Sequence, residues 1–290
     1  MQVEKHSGCK VNLLLNILGR RADGFHELET VMHPIPVFDR LTIIKEGEGI
    51  VLTCTNPGLP TDSRNLVYQA AAQFLATAQI DQGVRLHLEK HIPVSAGLGG
   101  GSANAATTLM AMNELFDAPL SSDQLHTLAA SLGSDVPFFL QTRPALATGR
   151  GEHIRSLKPF PALHGAFFLL IHPGFGIPTA WAYQRLAHFP GALNGKPGRA
   201  QNLITLLDQA KLESAGAALY NSLEAPAFEK YPLLRLFQEF LLENGASGVL
   251  MSGSGSSTFA LAGDKSKAEN LRERFKSRFG NKNWLAVVPA

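Results

Sequence analysis

The chain opens with segments dense in Val, Ile, Leu and Thr at 9–18, 31–37, 41–46 and 50–54, and these predict strands. The period then changes. Over 65–78 and 104–116 apolar residues recur at i, i+3 and i+4, which predicts helices, and 121–132 predicts a third with Ser121 and Ser122 as cap candidates. Between the first two helices, VRLHLEKHI at 84–92 alternates as a half-buried strand does. The second half predicts strand 166–171, helix 178–187, helix 232–244, strands 248–251 and 257–262, helix 264–279 and strand 284–288. With the linker region set aside, this is the β-α-β-β-α-β order of a ferredoxin-like split βαβ sandwich. Residues 202–224 add helical material with no place in that scheme.

Gly/Pro clusters at 55–64, 97–101 and 190–199 punctuate the chain, and no repeat of fixed period occurs. A length of 290 residues favours two domains, and the change of pattern puts the boundary near 150–160. The expectation is an α+β protein with an N-terminal α/β domain over 1–155 and a ferredoxin-like domain over 156–290.

Composition narrows the partners. Residues AVILMFWYC make up 45% and charged residues 17%, so intrinsic disorder is excluded. A net charge of +2 is too small a field to imply nucleic acid, so any anionic partner is small and locally gripped. Cys9 and Cys54 form no CxxC motif, which argues against a disulfide framework or a structural zinc and fits a reducing compartment. Asn12 and Asn16 interrupt the apolar start, which lacks a small-residue cleavage site and so does not read as a signal peptide. The run GAFFLLI at 165–171 is among the longest apolar stretches and falls far short of the ~20 residues that span a bilayer. A cytoplasmic protein with no membrane partner is expected.

HIPVSAGLGGGSANAATTLMAMNELF places a glycine-rich turn between a strand and a helix, an arrangement that presents unpaired backbone N–H groups to an anion. Gly97, Gly99, Gly100 and Gly101 carry no Cβ, so phosphate oxygens can approach the backbone. Ser102 follows at a position where it caps the helix, touches a phosphate or helps hold a metal ion. A Walker A loop is excluded, since the one Gly-Lys is Gly195-Lys196-Pro197. A dinucleotide fingerprint can be forced on Gly97, Gly99 and Ser102, but Asp117, 20 residues beyond Gly97, follows a helix and does not end a second strand. A second cluster, GVLMSGSGSSTFAL at 248–261, is either a tight hairpin or, through Ser252, Gly253, Ser254, Gly255 and Ser256, another wall of a phosphate site.

Taken together, KVNLLLNILGRRADGFHE at 10–27, IPVSAGLGGGSANAA at 92–106 and GVLMSGSGSSTFAL at 248–261 resemble the GHMP kinase superfamily. NLVYQAA at 65–71, GSDVPFFL at 133–140 and HPGFGIPT at 172–179 extend the resemblance over nearly the whole chain, weakest at about 186–201. They sharpen it toward the branch that acts on a cytidine diphosphate-linked methylerythritol in the non-mevalonate isoprenoid (terpenoid) pathway. The resemblance implies the two-domain GHMP kinase fold, ATP and Mg2+ as cofactors, and phosphoryl transfer to the 2-hydroxyl of that small molecule. It implies nucleotide binding by Pro93, Val94, Ser95, Ala96, Gly97, Leu98, Gly99, Gly100, Gly101, Ser102 and Ala103, and by Ser252, Gly253, Ser254 and Gly255. Asn65 matches an adenine-contacting position, with helix N-cap as the plainer role. The metal ligands stay open, Ser102 being a candidate.

Read from residues alone, Asp135 suits a turn or cap before Pro137 and Lys10 an edge-strand lysine reaching water. The resemblance reverses both. It makes Asp135 the base that takes the hydroxyl proton and Lys10 a cation that keeps that carboxylate ionised and offsets developing charge. Asn12, two residues along the same strand face, matches a substrate-contacting position. The resemblance further implies that Phe25, His26 and Tyr183 grip the cytosine, with Phe25 standing where tyrosine is common. Stacking survives that exchange and the phenolic hydroxyl is lost. Two rivals remain: a GHMP kinase for another alcohol such as homoserine or mevalonate, and a catalytically silent nucleotide-binding regulator.

Overall fold

A computed structural model describes residues 1–290. The chain forms two compact units: Met1–Cys9, Val37–Ile92 and Gly99–Thr142 make the first, and Lys10–Pro36, Pro93–Leu98 and Arg143–Ala290 the second. The chain therefore crosses from one unit to the other several times, last at 142/143, where the sequence suggests a single change near 150–160. Two of these crossings fall inside long strands, at 9/10 in β1 (Gln2–Arg20) and at 36/37 in β2 (His26–Lys45), and the segment 93–98 adds two more.

In the first unit, β2 pairs antiparallel with β4 (Val84–Glu89), Arg40 opposite Glu89, and β3 (Ile50–Cys54) pairs parallel with β4, Ile50 opposite Val84. The alternation in 84–89 buries Val84, Leu86 and Leu88 against Val67, Ala70, Ala71 and Phe74 of α1 (Leu66–Ala78) and Leu109 and Met112 of α2 (Gly100–Leu115). Small residues at Ala103, Ala105, Ala106 and Ala111 let α2 lie buried almost all round. Helix α3 (Ser122–Leu132) starts with a capping box in which Ser121 and Gln124 satisfy each other's backbone N–H groups. The strands expected at 31–37 and 41–46 are one strand. Asp39, in the gap between them, is fully buried and pairs with Lys90 while accepting from the N–H groups of His91 (2.7 Å) and Ile92 (2.9 Å).

The second unit contains the expected ferredoxin-like element order. Strands β7 (Phe167–His172), β9 (Gly248–Met251), β10 (Thr258–Ala262) and β11 (Trp284–Pro289) form an antiparallel sheet in the order β11-β7-β10-β9. Phe237 and Leu241 of α9 (Pro232–Glu243) and Leu271 and Phe275 of α10 (Lys265–Phe279) share its core with Leu169, Ile171 and Ala260. Helix α4 (Thr179–Arg185) follows β7, and α5 (Pro190–Leu193) comes next. The unplaced stretch becomes α6 (Arg199–Asp208), α7 (Leu212–Ala217), the two-residue β8 (Tyr220–Asn221) and α8 (Glu224–Lys230). Strand β8 pairs parallel with β1, Leu15 opposite Asn221. A hairpin not expected from the pattern, β5 (Ala145–Gly149) and β6 (His153–Ser156), pairs with β2. No helix is long and apolar enough to cross a membrane.

Candidate functional site

The first unit holds Asn65, Gly99–Ala103 and Asp135. The N-cap of α2 is Gly99, at φ +70°, with no side-chain capping bond; Ser102 is the third helical residue and caps nothing. The capping role considered for Ser102 is therefore corrected. The left-handed glycine turn starts the helix without a cap side chain, and Gly100, Gly101 and Ser102 bring the amide donors of the first turn, which have no intrahelical partner. Ser102 leaves its hydroxyl for a ligand. Behind this turn stands a charge pair invisible to motif reading. Lys90 and Asp39 are bonded and buried, Asn104 donates to Asp39 (2.9 Å), and a Cβ on Gly100 would lie 3.1 Å from Lys90 Nζ. Gly100 is thus bare because protein atoms need the space as well as any phosphate.

Asn65 caps α1, accepting from Val67 N–H (2.9 Å) and donating to the Pro60 carbonyl (2.7 Å). Gly101 lies against Leu66, 3.7 Å from its Cδ1 were a Cβ present, so the starts of α1 and α2 are neighbours. Asp135 sits half-buried in the turn after α3, closed by Val136 N–H to Gly133 O at 3.1 Å. Val136 occupies the cap position before the 3-10 turn at Pro137–Leu140, so the cap reading of Asp135 is not what the fold uses.

The second unit holds Lys10, Asn12, Phe25, His26, Pro93–Leu98, Tyr183 and Ser252–Gly255. Here two loops distant in sequence are stitched together. Ser252 Oγ donates to Gly97 O (2.9 Å) and accepts from Asn12 N–H (3.2 Å), and Ser257 N–H donates to Ala96 O (3.1 Å). Lys10 N–H donates to Leu98 O (2.9 Å). The second glycine-serine cluster is therefore a partner of the first loop as well as the turn between β9 and β10. Ser254 Oγ lies 3.0 Å from Thr179 Oγ1. Lys10 and Asn12 are 3% and 4% exposed, and Lys10 Nζ donates to Asn12 Oδ1 at 2.5 Å. Asn12 Nδ2 in turn donates to Thr30 Oγ1 (2.8 Å), whose hydroxyl donates to Leu14 O (2.5 Å).

Sequence reasoning missed the residues that hold the 251–253 backbone. Asn221 Nδ2 donates to the carbonyls of Met251 (2.7 Å) and Gly253 (2.8 Å), and Glu224 Oε1 accepts from Met251 N–H (2.8 Å) and Gln238 Nε2 (2.5 Å). Burial pushes the Glu224 carboxyl up to about 7. The available signal was Asn221 and Glu224 three apart in a stretch otherwise read as surplus helix.

The loop Arg21–Phe25 is braced by Arg21, which bonds Asp23 and Glu27 (2.6 Å), and by Phe25 N–H to Asp23 Oδ1 (3.1 Å). Phe25 is 54% exposed, with the Arg150 guanidinium 4.7 Å from its ring centre. His26 and Tyr183, 157 positions apart, come together with ring centres 5.1 Å apart. Burial first, and the Arg20 charge second, lower the His26 pKa, so its imidazole is neutral at pH 7 and can both donate and accept. An aromatic pair with one bifunctional edge suits a planar heterocycle.

Residues 65–143 match the family model described as GHMP kinases N terminal domain, and 203–281 match GHMP kinases C terminal. A protein of Pelotomaculum thermopropionicum named 4-diphosphocytidyl-2-C-methyl-D-erythritol kinase is 41% identical over 92% of this chain and 92% of its own length. One of the same name from Synechococcus sp. (strain JA-3-3Ab) is 39% identical over 93% of this chain and 88% of its own. A crystal structure of 4-(cytidine 5'-diphospho)-2C-methyl-D-erythritol kinase superposes with a TM-score of 0.80 at 34% identity, covering 99% of this chain and 100% of that one. Homoserine kinase from Cytophaga hutchinsonii superposes with a TM-score of 0.77 at 21% identity over 99% of this chain and 94% of its own, a likeness of fold alone.

Proposed function

This chain belongs to the GHMP kinase family, and on that premise we propose that it transfers the γ-phosphoryl group of ATP to the 2-hydroxyl of 4-diphosphocytidyl-2-C-methyl-D-erythritol. The observation that carries the reading is the His26–Tyr183 pair beside the charged 20–27 loop, in a chain 41% identical to a kinase named for that substrate. Phosphoryl transfer asks a protein mainly for positioning and charge stabilisation. In this reading, Asp135 accepts the hydroxyl proton as the oxygen attacks the γ-phosphorus, and ADP leaves with the bridging oxygen. Lys10 offsets negative charge developing on the transferred group, and Asn12 orients the methylerythritol. Amides of 93–103 and of the Ser252–Gly255 turn receive the phosphates, and Asn65 stands at the adenine end. Tyr183 and Phe25 offer ring faces to the cytosine, and His26 pairs along its edge.

Mg2+ fits this donor set. The fold has no group of three or more His, Cys, Asp or Glu able to hold a metal by itself, whereas Mg2+ on a nucleotide keeps waters and needs only one or two protein ligands. The Ser102 hydroxyl, free of a capping bond, would be the candidate for such a ligand. When bound, the ion neutralises charge on the phosphates. Two free cysteines, one buried and one half-buried, fit a cytoplasmic location.

The deciding experiment is ATP turnover with the cytidylyl substrate beside homoserine and mevalonate. Turnover confined to the cytidylyl compound is expected. A preference for another alcohol refutes the substrate, and ATP binding without turnover of any of the three refutes the enzyme.

A further inference from the structure

The hydrogen bonds that begin at Lys10 can run in one direction only. An ammonium has three donors and no acceptor, so the oxygen of the Asn12 amide must face it. A backbone carbonyl accepts and never donates, so the single hydroxyl proton of Thr30 is committed to Leu14 O. Thr30 Oγ1 then has only lone pairs left for Asn12, which must present its NH2. Both ends of the series Lys10, Asn12, Thr30, Leu14 O dictate the same orientation of the amide between them. Thr30 is itself 4% exposed, so water is not at hand to replace its hydroxyl. A flipped Asn12 would set an amide NH2 against the ammonium, leave Thr30 without its donor, and cost the full penalty of unmatched buried groups.

We propose that Thr30 is a positioning residue for phosphoryl transfer: by fixing the Asn12 amide, it aims the Lys10 ammonium. This deepens the proposed function and rests on its assignment of Lys10. Thr30 lies on β2 opposite Ala147 of β5, so its place in the sheet is held by the backbone and not by the hydroxyl.

The test uses Thr30→Val, which keeps the shape and removes the hydroxyl, Thr30→Ala, which avoids any branched-side-chain strain, and Thr30→Ser, which restores the hydroxyl. Val and Ala are expected to lower kcat about 10–100-fold, as small misplacements of catalytic groups do, with ATP Kd within about twofold of wild type. Ser is expected to recover most of kcat. In a Lys10→Met background, adding Thr30→Val should change kcat little, because the residue through which it acts is gone. A purely structural residue would add its full effect there. Nitrogen-15 NMR of the Lys10 ammonium needs no substrate: its protons should exchange with solvent faster in Val and Ala than in wild type and Ser. Additive kcat losses, a Ser variant as impaired as Val, or an unchanged Lys10 ammonium each overturn the proposal. So does failure of both Val and Ala to fold, which would make Thr30 a folding residue. If Lys10→Met alone leaves kcat intact, the catalytic assignment of Lys10 fails, whereas an impaired Lys10→Met with a normal Thr30→Val refutes only the positioning role.

Discussion

A Cβ on Gly97 would lie 2.0 Å from the carbonyl oxygen of Ser252, well inside van der Waals contact, and Gly97 stands at φ +76°. The two residues are 155 positions apart, and the Ser252 hydroxyl closes the approach by donating to Gly97 O. Glycine is required at 97 on two independent grounds, backbone conformation and a facing backbone.

This ranks the glycines of the loop. Gly97→Ala should force the 93–98 and 252–257 segments apart and lower ATP affinity by an order of magnitude or more, with a falling Tm, since a left-handed Ala alone costs ~1 kcal/mol and the clash adds to it. Gly101→Ala meets only Leu66 Cδ1 at 3.7 Å and should stay folded. Titration calorimetry with ATP beside thermal melts checks the order, and equal effects at 97 and 101 would contradict it.

Asp135→Asn keeps shape and most hydrogen bonding while removing the proposed base. The expected result is a kcat lower by ~10²–10⁴-fold with ATP affinity little changed. Steady-state kinetics decide, and a near-normal kcat would return Asp135 to a structural turn residue.

Cytosine recognition should separate from ATP binding. His26→Ala leaves polar edges of the base unmatched, and Tyr183→Ala removes a stacking surface worth ~1–3 kcal/mol by analogy with base–aromatic platforms. Both should raise KM for the cytidylyl substrate and spare ATP, and Tyr183→Phe should be mild. Weakened ATP binding with a normal cytidylyl KM would mean the pair serves the other ligand.

His33 and Glu224 should tilt the stability profile in opposite senses. His33 packs against Phe160 and Phe168, its Nδ1 has no partner, and burial lowers its pKa from 6.5 to about 4. Below pH 6.5 the unfolded chain takes up the proton first, so stability falls as pH drops toward about 4, by about 3 kcal/mol in all. Glu224 is raised from 4.5 to about 7, so its contribution is full below 4.5 and is lost as pH rises through 7. Denaturant melts across pH 4–9 should show His33→Phe flattening the acid limb and Glu224→Gln raising stability above pH 7. Parallel wild-type and variant curves would show that these groups do not carry the dependence.

Local signals settled most elements. Alternation at 84–89, Asn65 and Ser121 as caps, and the β-α-β-β-α-β order of the second half are each consequences of short-range patterning, and all recur in the fold within a few residues. The segments that carry the proposed chemistry were legible for the same reason, because the glycine run before α2 and the run around Asp135 are each contiguous. What sequence could not decide lies between residues far apart along the chain. The gap left between the strands at 31–37 and 41–46 closes into one strand in which Asp39 pairs with Lys90, 51 positions on. Asn221 and Glu224 belong to helical material with no evident place until the 251–253 backbone bonds to them. Thr30 looks like any strand threonine until Asn12 and the Leu14 carbonyl flank it. Hydrophobic period and capping are set within a turn or two of chain. The partner of a buried polar group is set by which strands the fold makes neighbours, and only the tertiary structure chooses those.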